Sequence, residues 1–384
     1  MIYLDHAATG FPKPRAVTDA VTTCLLRYGG NPGRGAHALS LSAARVVYDC
    51  RERLAEFFGV SDPSRVIFTL NTTQALNVAL KGLLRKGDHV LISNLEHNAV
   101  SRPLFRMEEE GRILVSSFNA LRENSKEGGE ALCAELARKM LPNTRMVVCT
   151  MASNLCSVRL PIRGIAALCR ARGVLLVVDG AQGAGHEPIS VDEWGIGALC
   201  VPGHKGLLGP QGCGALLLGK GVLPDTLCEG GNGVFSLERD MGDQLPERYE
   251  AGTLPTPAIA GLSAGIRILE RIGLSYVDDY ERFLYRRLRE RLENTEGVTL
   301  YAPEWEGAIL LFNLIGVSPD EVGARLNEAG ICVRSGYHCS ALGHKTLQTE
   351  EGGAVRVSFG VSNRPSDVDA LWKSVCGILR DVKK

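Results

Sequence analysis

The stretch PGHKGLLGPQG, residues 202–212, places one lysine between a histidine and a glycine directly after an apolar run. A lysine amine in water is protonated and not nucleophilic, but desolvation or a nearby cation lowers its pKa enough for imine formation with an aldehyde. Lys205 is therefore a candidate nucleophile, and Gly203, Gly206, Gly209 and Gly212 would let the backbone approach a flat ligand. A surface loop with one solvated lysine fits the same residues. Two other stretches narrow the choice. LLVVDGAQ ends an apolar run in Asp179, with Gln182 three residues on. A carboxylate there is costly to bury unless it meets a cation, and a protonated pyridine nitrogen is one such cation; capping the next turn is the plain alternative. FTLNTTQALNVAL runs from a strand into a helix with Thr72 and Thr73 in its opening turn. Free N–H groups, the helix dipole and two hydroxyls make an anion site, although Asn71 or Thr72 could serve only as a cap. An anion-binding helix start, a strand-end aspartate and a strand-end lysine, in that order, supply what pyridoxal phosphate needs: a phosphate cradle, a pyridinium partner and a Schiff-base lysine.

The elements that must hold these residues are legible. From about residue 66 the chain alternates short β-rich runs with helical stretches: RVIFTL, DHVLIS, RILVSSF, RMVVCTMAS, GVLLVVDG, ALCVPG and CGALLLG. Near-continuous apolar strands separated by helices such as IRGIAALCRARG predict a mostly parallel sheet covered on both faces. Ligands in such sheets bind beyond the carboxyl ends of the strands, where all three candidate stretches fall. After YEAGTLPTPAIAGL the pattern changes to long amphipathic helices, then the strands VTLYAP, AILLFNLIGV and AVRVSF and a closing helix, which reads as a second, α+β domain. The helical segment up to about residue 60 is expected to sit at the junction.

The chain has 384 residues, with Lys+Arg and Asp+Glu both 43. That length favours a large domain plus a smaller one. No basic stripe or like-charge block suggests a nucleic acid or an anionic membrane, so small molecules and proteins are the expected partners. MIYLDHAATG lacks the regions of a signal peptide and the apolar runs are too short to span a bilayer, so a soluble, cytoplasmic protein is expected. Twelve cysteines lie singly, without a Cys-x-x-Cys pair, and read as buried reduced thiols with Cys339 the exception. YHCS is the nearest zinc candidate, but its His338 and Cys339 are adjacent with no second pair at ligand spacing, so no metal is expected. No Gly-x-Gly-x-x-Gly turn follows the first main-sheet strand, which argues against a nicotinamide dehydrogenase.

YLDHAATGFPKP, GGNPGRGAHALS, NTTQALN, LEHNAV, ASN, DGAQ, GHKGLLGPQGCG, YEAGTLPTP, RSGYHCS and VRVSFG occur in the order in which they appear in one family. With them the chain closely resembles the cysteine desulfurases, within the class V aminotransferase group of fold-type I pyridoxal phosphate enzymes. The resemblance implies a large α/β domain over 14–257 with a mostly parallel seven-stranded sheet. Residues 1–13 would join 258–384 in a smaller α+β domain carrying a Cys loop. It implies that Lys205 is the Schiff-base lysine and the Cα proton carrier. Asp179 would keep the pyridine nitrogen protonated, Gln182 would bond the ring O3′, and His97 would stack on the ring and assist proton transfer. Thr72, Thr73 and His204 would hold the phosphate together with Thr253 of a second subunit, and hence a homodimer. Asn154 would lie near the substrate carboxylate and O3′, and Arg356 would grip that carboxylate through a bidentate pair. Cys339, beside His338 and five residues after Arg334, would be the nucleophile, because nearby positive groups favour the thiolate.

The implied reaction removes sulfur from L-cysteine, leaving L-alanine and a persulfide on Cys339 that an acceptor protein or thiol discharges. L-selenocysteine would fit the same arrangement. The short stretch from Cys339 to the strand of Arg356 resembles the family's second group, whose persulfide transfer is helped by a partner. Several positions depart from the pattern. Pro202 stands where many relatives have Ser or Thr, removing one phosphate donor. His6 replaces a common Asn, Met151 a common His, and LCS a more usual Val-Thr-Gly; these touch the pocket wall and bear on substrate choice. Other outcomes of the same cofactor are selenocysteine lyase, aminotransferase and epimerase, the last two having no need of a loop thiol. A non-catalytic sulfur-relay scaffold is the alternative of a different kind.

Overall fold

The computed structural model of the chain describes residues 1–33, 35–121, 129–234 and 236–382. Its strands, in chain order, are β1 (Ile2–Tyr3), β2 (Val66–Thr69), β3 (Asp88–Ser93), β4 (Ile113–Phe118), β5 (Thr144–Thr150), β6 (Leu175–Asp179), β7 (Ala198–Pro202), β8 (Gly214–Leu218), β9 (Val298–Tyr301), β10 (Ile309–Leu314), β11 (Ile331–Cys332), β12 (Arg334–Gly336) and β13 (Ala354–Ser358). The helices are α1 (Arg15–Arg27), α2 (Ala38–Phe57), α3 (Thr72–Leu83), α4 (Asn98–Glu109), α5 (Glu130–Lys139), α6 (Ile162–Arg172), α7 (Val191–Trp194), α8 (Thr256–Ile272), α9 (Leu274–Glu293), α10 (Pro319–Glu328), α11 (Ala341–Thr346) and α12 (Pro365–Val382).

The apolar runs between residues 66 and 218 form one seven-stranded sheet in the order β2-β8-β7-β6-β5-β3-β4. Neighbours from β7 to β4 are parallel, and β8 runs antiparallel to both β2 and β7. Two apolar layers cover it, one with residues of α3 and α4 and the other with residues of α2, α5, α6 and α8. Strands buried on both faces carry no alternation, which is why they appear in the sequence as unbroken apolar runs. Local signals set the ends: Gly173, at φ 65°, closes α6 in the left-handed conformation, and the Ser318 hydroxyl accepts the Glu321 N–H at the start of α10.

The smaller sheet is antiparallel, in the order β12-β13-β10-β9, and α9, α10 and α12 contribute to its apolar layer. The N-terminus joins this half of the molecule: β1 pairs in parallel with β11, and Asp5 forms a bridge with Ser358. Helix α8 buries Ile259, Leu262, Ile266 and Leu269 in the core of the large sheet. Its Gly265 is so close to the loop after β7 that a Cβ there would lie 2.3 Å from the Leu207 carbonyl oxygen. The lysine-bearing loop thus rests on bare helix backbone. No helix among the described residues is long and apolar enough to cross a membrane. The cysteines correct one expectation: Cys228 is exposed as well as Cys339, because it lies in the irregular segment after β8.

Helix α2 is fastened to edge strand β2 by a buried ion pair. Both terminal nitrogens of Arg51 reach Glu250 at 2.8 Å, Glu250 Oε1 accepts the Phe68 N–H at 2.7 Å, and the guanidinium lies 4.7 Å from the Phe68 ring centroid. Glu250→Ala leaves the arginine charged, buried and unpaired, so chemical denaturation is expected to show a loss on the order of 3–5 kcal/mol. The double variant Arg51→Met with Glu250→Leu should regain most of it, and equal losses in the two variants would refute the assignment.

Candidate active site

The carboxyl ends of four parallel strands, and the loops and helices that follow them, hold most of the sequence candidates. Asp179 is the last residue of β6, 2% exposed, and accepts one N–H from Ala181 at 2.9 Å. Lys205 follows β7, and Asn154 follows β5. His97 caps α4 after β3, its Nδ1 accepting the Ala99 N–H at 3.0 Å. With Nδ1 accepting, the ring hydrogen is on Nε2, so His97 presents a donor there. At α3, Asn71 is the cap and accepts from Gln74 N at 2.9 Å, so the threonines are not consumed in capping. Thr72 Oγ1 is buried without a partner, and Thr73 is exposed.

Burial and mutual repulsion keep this cluster short of positive charge. Desolvation pushes the Lys205 amine down to about 8; Asp179 opposes the shift and Arg356 adds to it. His97 and His204 fall to about 4, first by desolvation and then by Lys205, so both are neutral at pH 7. Burial raises the Asp179 carboxyl, opposed by the Ala181 N–H and by Lys205. Behind it Glu96, fully buried, is pushed up to about 8 and carries its proton at neutral pH. Its Oε1 accepts from Ser93 Oγ and from Thr150 N, and Oε2 has no partner.

Cys339 is exposed on a turn in which both His338 (φ 50°) and Cys339 (φ 55°) are left-handed, a strained conformation for non-glycine residues. Bonds to the large sheet hold that turn. Asn154 Nδ2 donates to the His338 carbonyl at 2.7 Å, and Asn98 N at the start of α4 donates to the Cys339 carbonyl at 2.8 Å. The His338 ring points inward, with Nε2 3.2 Å from the Arg334 carbonyl and Nδ1 3.2 Å from His344 Nε2, while His344 Nδ1 meets Thr349 Oγ1 at 2.6 Å. Only one proton order satisfies this row: threonine hydroxyl to His344, His344 N–H to His338, His338 N–H to the carbonyl. Burial, reinforced by Arg356, holds His338 down at about 3. The positive charge expected beside the thiol therefore does not come from His338.

Arg356, 3% exposed on β13, donates from Nη2 to Asp5 Oδ1 at 2.8 Å and from Nη1 to the Asn154 carbonyl at 2.9 Å, and its buried Nε has no partner. Arg334 Nε donates to the other oxygen of Asp5 at 3.0 Å. Asp5 thus orients two candidate anion-binding arginines, a role the sequence reading did not give it. Its signal was present, an acid directly after the apolar IYL, as in the case of Asp179.

Gln182 Nε2 donates to the Ala7 carbonyl at 3.0 Å, and His204 lies by its Nδ1 3.1 Å from Thr9 Oγ1. Thr253 is not brought to the cluster within one chain; it lines a separate cleft, with its hydroxyl 3.5 Å from Asn31 Nδ2. Among the departures, Pro202 is the last residue of β7, paired with Gly214. Met151 covers Gly183, where a Cβ would lie 2.3 Å from its sulfur, and His6 lies equally tightly over Gly360. No metal-binding cluster of His, Cys, Asp and Glu occurs among the described residues.

The donor set fits a phosphorylated pyridine aldehyde. An unpartnered buried hydroxyl at an open helix start suits a phosphate, a buried carboxylate with one N–H partner suits a ring cation, and a desolvated amine suits the aldehyde.

Comparison with known proteins agrees. Residues 2–371 match the family model described as aminotransferase class-V. A "Probable cysteine desulfurase" of Methanothermobacter thermautotrophicus is 34% identical over 97% of this chain and 94% of its own length, and one of Halalkalibacterium halodurans is 30% identical over 98% and 92%. The apo cysteine desulfurase of Thermococcus onnurineus NA1 superposes with TM-score 0.89 at 28% identity, covering 99% of this chain and 95% of that one. The Escherichia coli cysteine desulfurase CsdA, in an S-sulfonic acid form, gives TM-score 0.86 at 26% identity over 98% and 94%. By its fold, its sequence and the arrangement of its strand ends, the chain belongs to the class-V aminotransferase family, whose members depend on pyridoxal phosphate.

Proposed function

We propose that this protein is a cysteine desulfurase that converts L-cysteine to L-alanine and receives the sulfur on Cys339. The observation that carries the reading is an exposed thiol on a strained turn bonded to the start of α4 and to Asn154, at the end of the sheet that also carries the desolvated Lys205 and the buried Asp179. An aminotransferase or epimerase has no use for that thiol.

Bound pyridoxal phosphate supplies the electron sink that makes the substrate Cα–H bond breakable. Thr72, Thr73 and His204 would hold its phosphate, with Thr253 supplied by a second subunit of a homodimer. Asp179 would keep a proton on the ring nitrogen, Gln182 would bond O3′, and His97 would stack on the ring. The Lys205 amine would hold the cofactor and then take the Cα proton at Nζ, since neutral His97 already carries its hydrogen on Nε2. Arg356 offers its unpartnered Nε–H to the substrate carboxylate, and Asn154, whose Oδ1 is also unpartnered, would lie near that carboxylate and O3′. The Cys339 thiolate attacks the substrate sulfur: an S–S bond forms, the Cβ–S bond breaks with its electron pair left on the alanine fragment, and no external oxidant or reductant is needed. Arg334, half exposed, is held by Asp5 at the mouth. The persulfide then passes to an acceptor for iron–sulfur clusters or other thiolated products in the cytoplasm, and L-selenocysteine is a second substrate of the same arrangement. With a division near 257, the N-terminal strand joining the second unit, the cofactor residues would fall in one unit and the thiol in the other, while α8 packs its apolar face on the large sheet.

A lysine with a pKa of about 8 is roughly one-tenth neutral at pH 7, against fewer than one in a thousand at the ordinary value. Uptake of pyridoxal phosphate, followed by visible absorbance, is therefore expected to rise through pH about 8. Asp179→Asn removes the charge that holds this pKa up and should lower the midpoint; a midpoint near the ordinary lysine value of about 10.4 would contradict the assignment.

Cys339→Ala should bind the cofactor normally, since the thiol is not among its ligands, yet lose alanine formation from L-cysteine by on the order of 100-fold or more. In the wild type, peptide mass analysis after L-cysteine should find one added sulfur on Cys339. Unchanged turnover in Cys339→Ala would sink the proposed function.

A further inference from the structure

We infer that the groove between α3 and α4 is the docking track for an acidic acceptor segment, a protein strand that presents a cysteine flanked by Asp and Glu. The inference rests on the desulfurase reading above and names the partner of the same thiol.

The groove encloses about 590 Å³ and has Cys339 at one end. Its two walls are helical rows at four-residue spacing, which places each row on one face. On α3 the row runs from Thr73 through Asn77 to Lys81, and on α4 from Asn98 through Arg102 and Arg106 to Glu110; Arg112 closes the far end. The lining charges are four cations, Lys81, Arg102, Arg106 and Arg112, against a single acid, Glu110. That acid is shared between Arg106 at 2.7 Å and Arg112 at 3.8 Å. Lys81 and Arg102 are exposed and form no ion pair among the described residues. A chain with no net charge has thus gathered a surplus of positive charge next to its exposed thiol.

The dimensions suit an extended strand. Arg106 is eight residues along α4 from Asn98, whose N–H holds the Cys339 carbonyl, and this is about 12 Å at the helix rise. An extended acceptor covers that in roughly four residues. In the transfer, the acceptor thiolate attacks the outer sulfur of the Cys339 persulfide, a new S–S bond forms on the acceptor, and Cys339 leaves as thiolate. The arriving thiolate and its acidic flanks are anionic, so a cationic track raises the encounter rate and fixes the approach.

The test uses the dimeric holoenzyme and two synthetic peptides of equal length, one with four Asp around a single cysteine and one with four Ser. At low salt the acidic peptide should discharge the persulfide with a kcat/KM about ten-fold higher, and the advantage should vanish near 1 M salt, where the Debye length is about 3 Å. The charge-reversal variant Lys81→Glu, Arg106→Glu, Arg112→Glu should lose that advantage while turnover with dithiothreitol stays within about two-fold. Fluorescence anisotropy with cysteine-to-serine versions of the peptides reads the groove without turnover, and the acidic one should bind at least ten-fold more tightly to wild type than to the variant. Equal binding of the two peptides, an unchanged preference in the variant, tighter binding of an oligonucleotide of equal charge, or a variant that runs as a monomer would each overturn the inference and leave the desulfurase reading intact. Acidic-peptide binding without any sulfide release with dithiothreitol in wild type would instead overturn the desulfurase reading, and the inference with it.

Discussion

One carboxylate ties together the parts of the molecule that must meet for the site to exist. Asp5, just after the first short strand, accepts Arg356 on one oxygen and Arg334 on the other, and Arg356 in turn donates to the carbonyl of Asn154. Asn154 reaches the His338 carbonyl, and so the thiol turn. The N-terminus, the smaller sheet, the end of β5 and the Cys339 loop are thereby linked through consecutive hydrogen bonds. A guanidinium buried this deeply is tolerable only because its partners are geometrically good; an arginine left without Asp5 would carry the desolvation cost alone. The same carboxylate leaves one guanidinium donor, Nε, without a partner inside the protein.

Control of positive charge is the second theme. Burial first, and then the charges of Lys205, Arg356, Arg334 and Lys13 nearby, keep His6, His97, His204 and His338 neutral. Neutral imidazoles can each accept one hydrogen bond and donate another, which is how His97 caps α4 and how His338 and His344 form an ordered row under the thiol turn. Further cations line α3, α4 and the turn after α4, in reach of solvent and of whatever approaches Cys339. The interior is chemically poised by desolvation, and the rim is left to electrostatics.

The main sheet was legible because strands buried on both faces are unbroken apolar runs, and DHVLIS coincides with β3 residue for residue. Lys205 and Asp179 stood out for the same reason, as charges directly at the ends of such runs. His97 and Asn154 have no such signature and came only from resemblance, as did the role of Gln182 beside Asp179. Asp5 carries the same mark, an acid after an apolar stretch, but over a strand of only two residues, too short to stand out as a run. The Arg51–Glu250 pair spans 199 positions, and nothing local in either segment announces the other. The histidine row needs left-handed turns at His338 and Cys339, a backbone conformation that composition disfavours and only tertiary contacts impose. The cationic track escaped notice because Lys81, Arg102, Arg106 and Arg112 are scattered in the sequence and only the packing of α3 beside α4 and the turn after it brings them to one groove.

Gly265 deserves a last consideration, since even one methyl group there would press on the Leu207 carbonyl. Helix α8 leads, after a single glycine, into α9 of the smaller half, so the rod that seats the lysine loop is also the shaft on which the thiol-bearing half is mounted. The packing surface of the lysine loop and the first helix of the thiol-bearing half are therefore successive parts of one stretch of backbone, joined at Gly273.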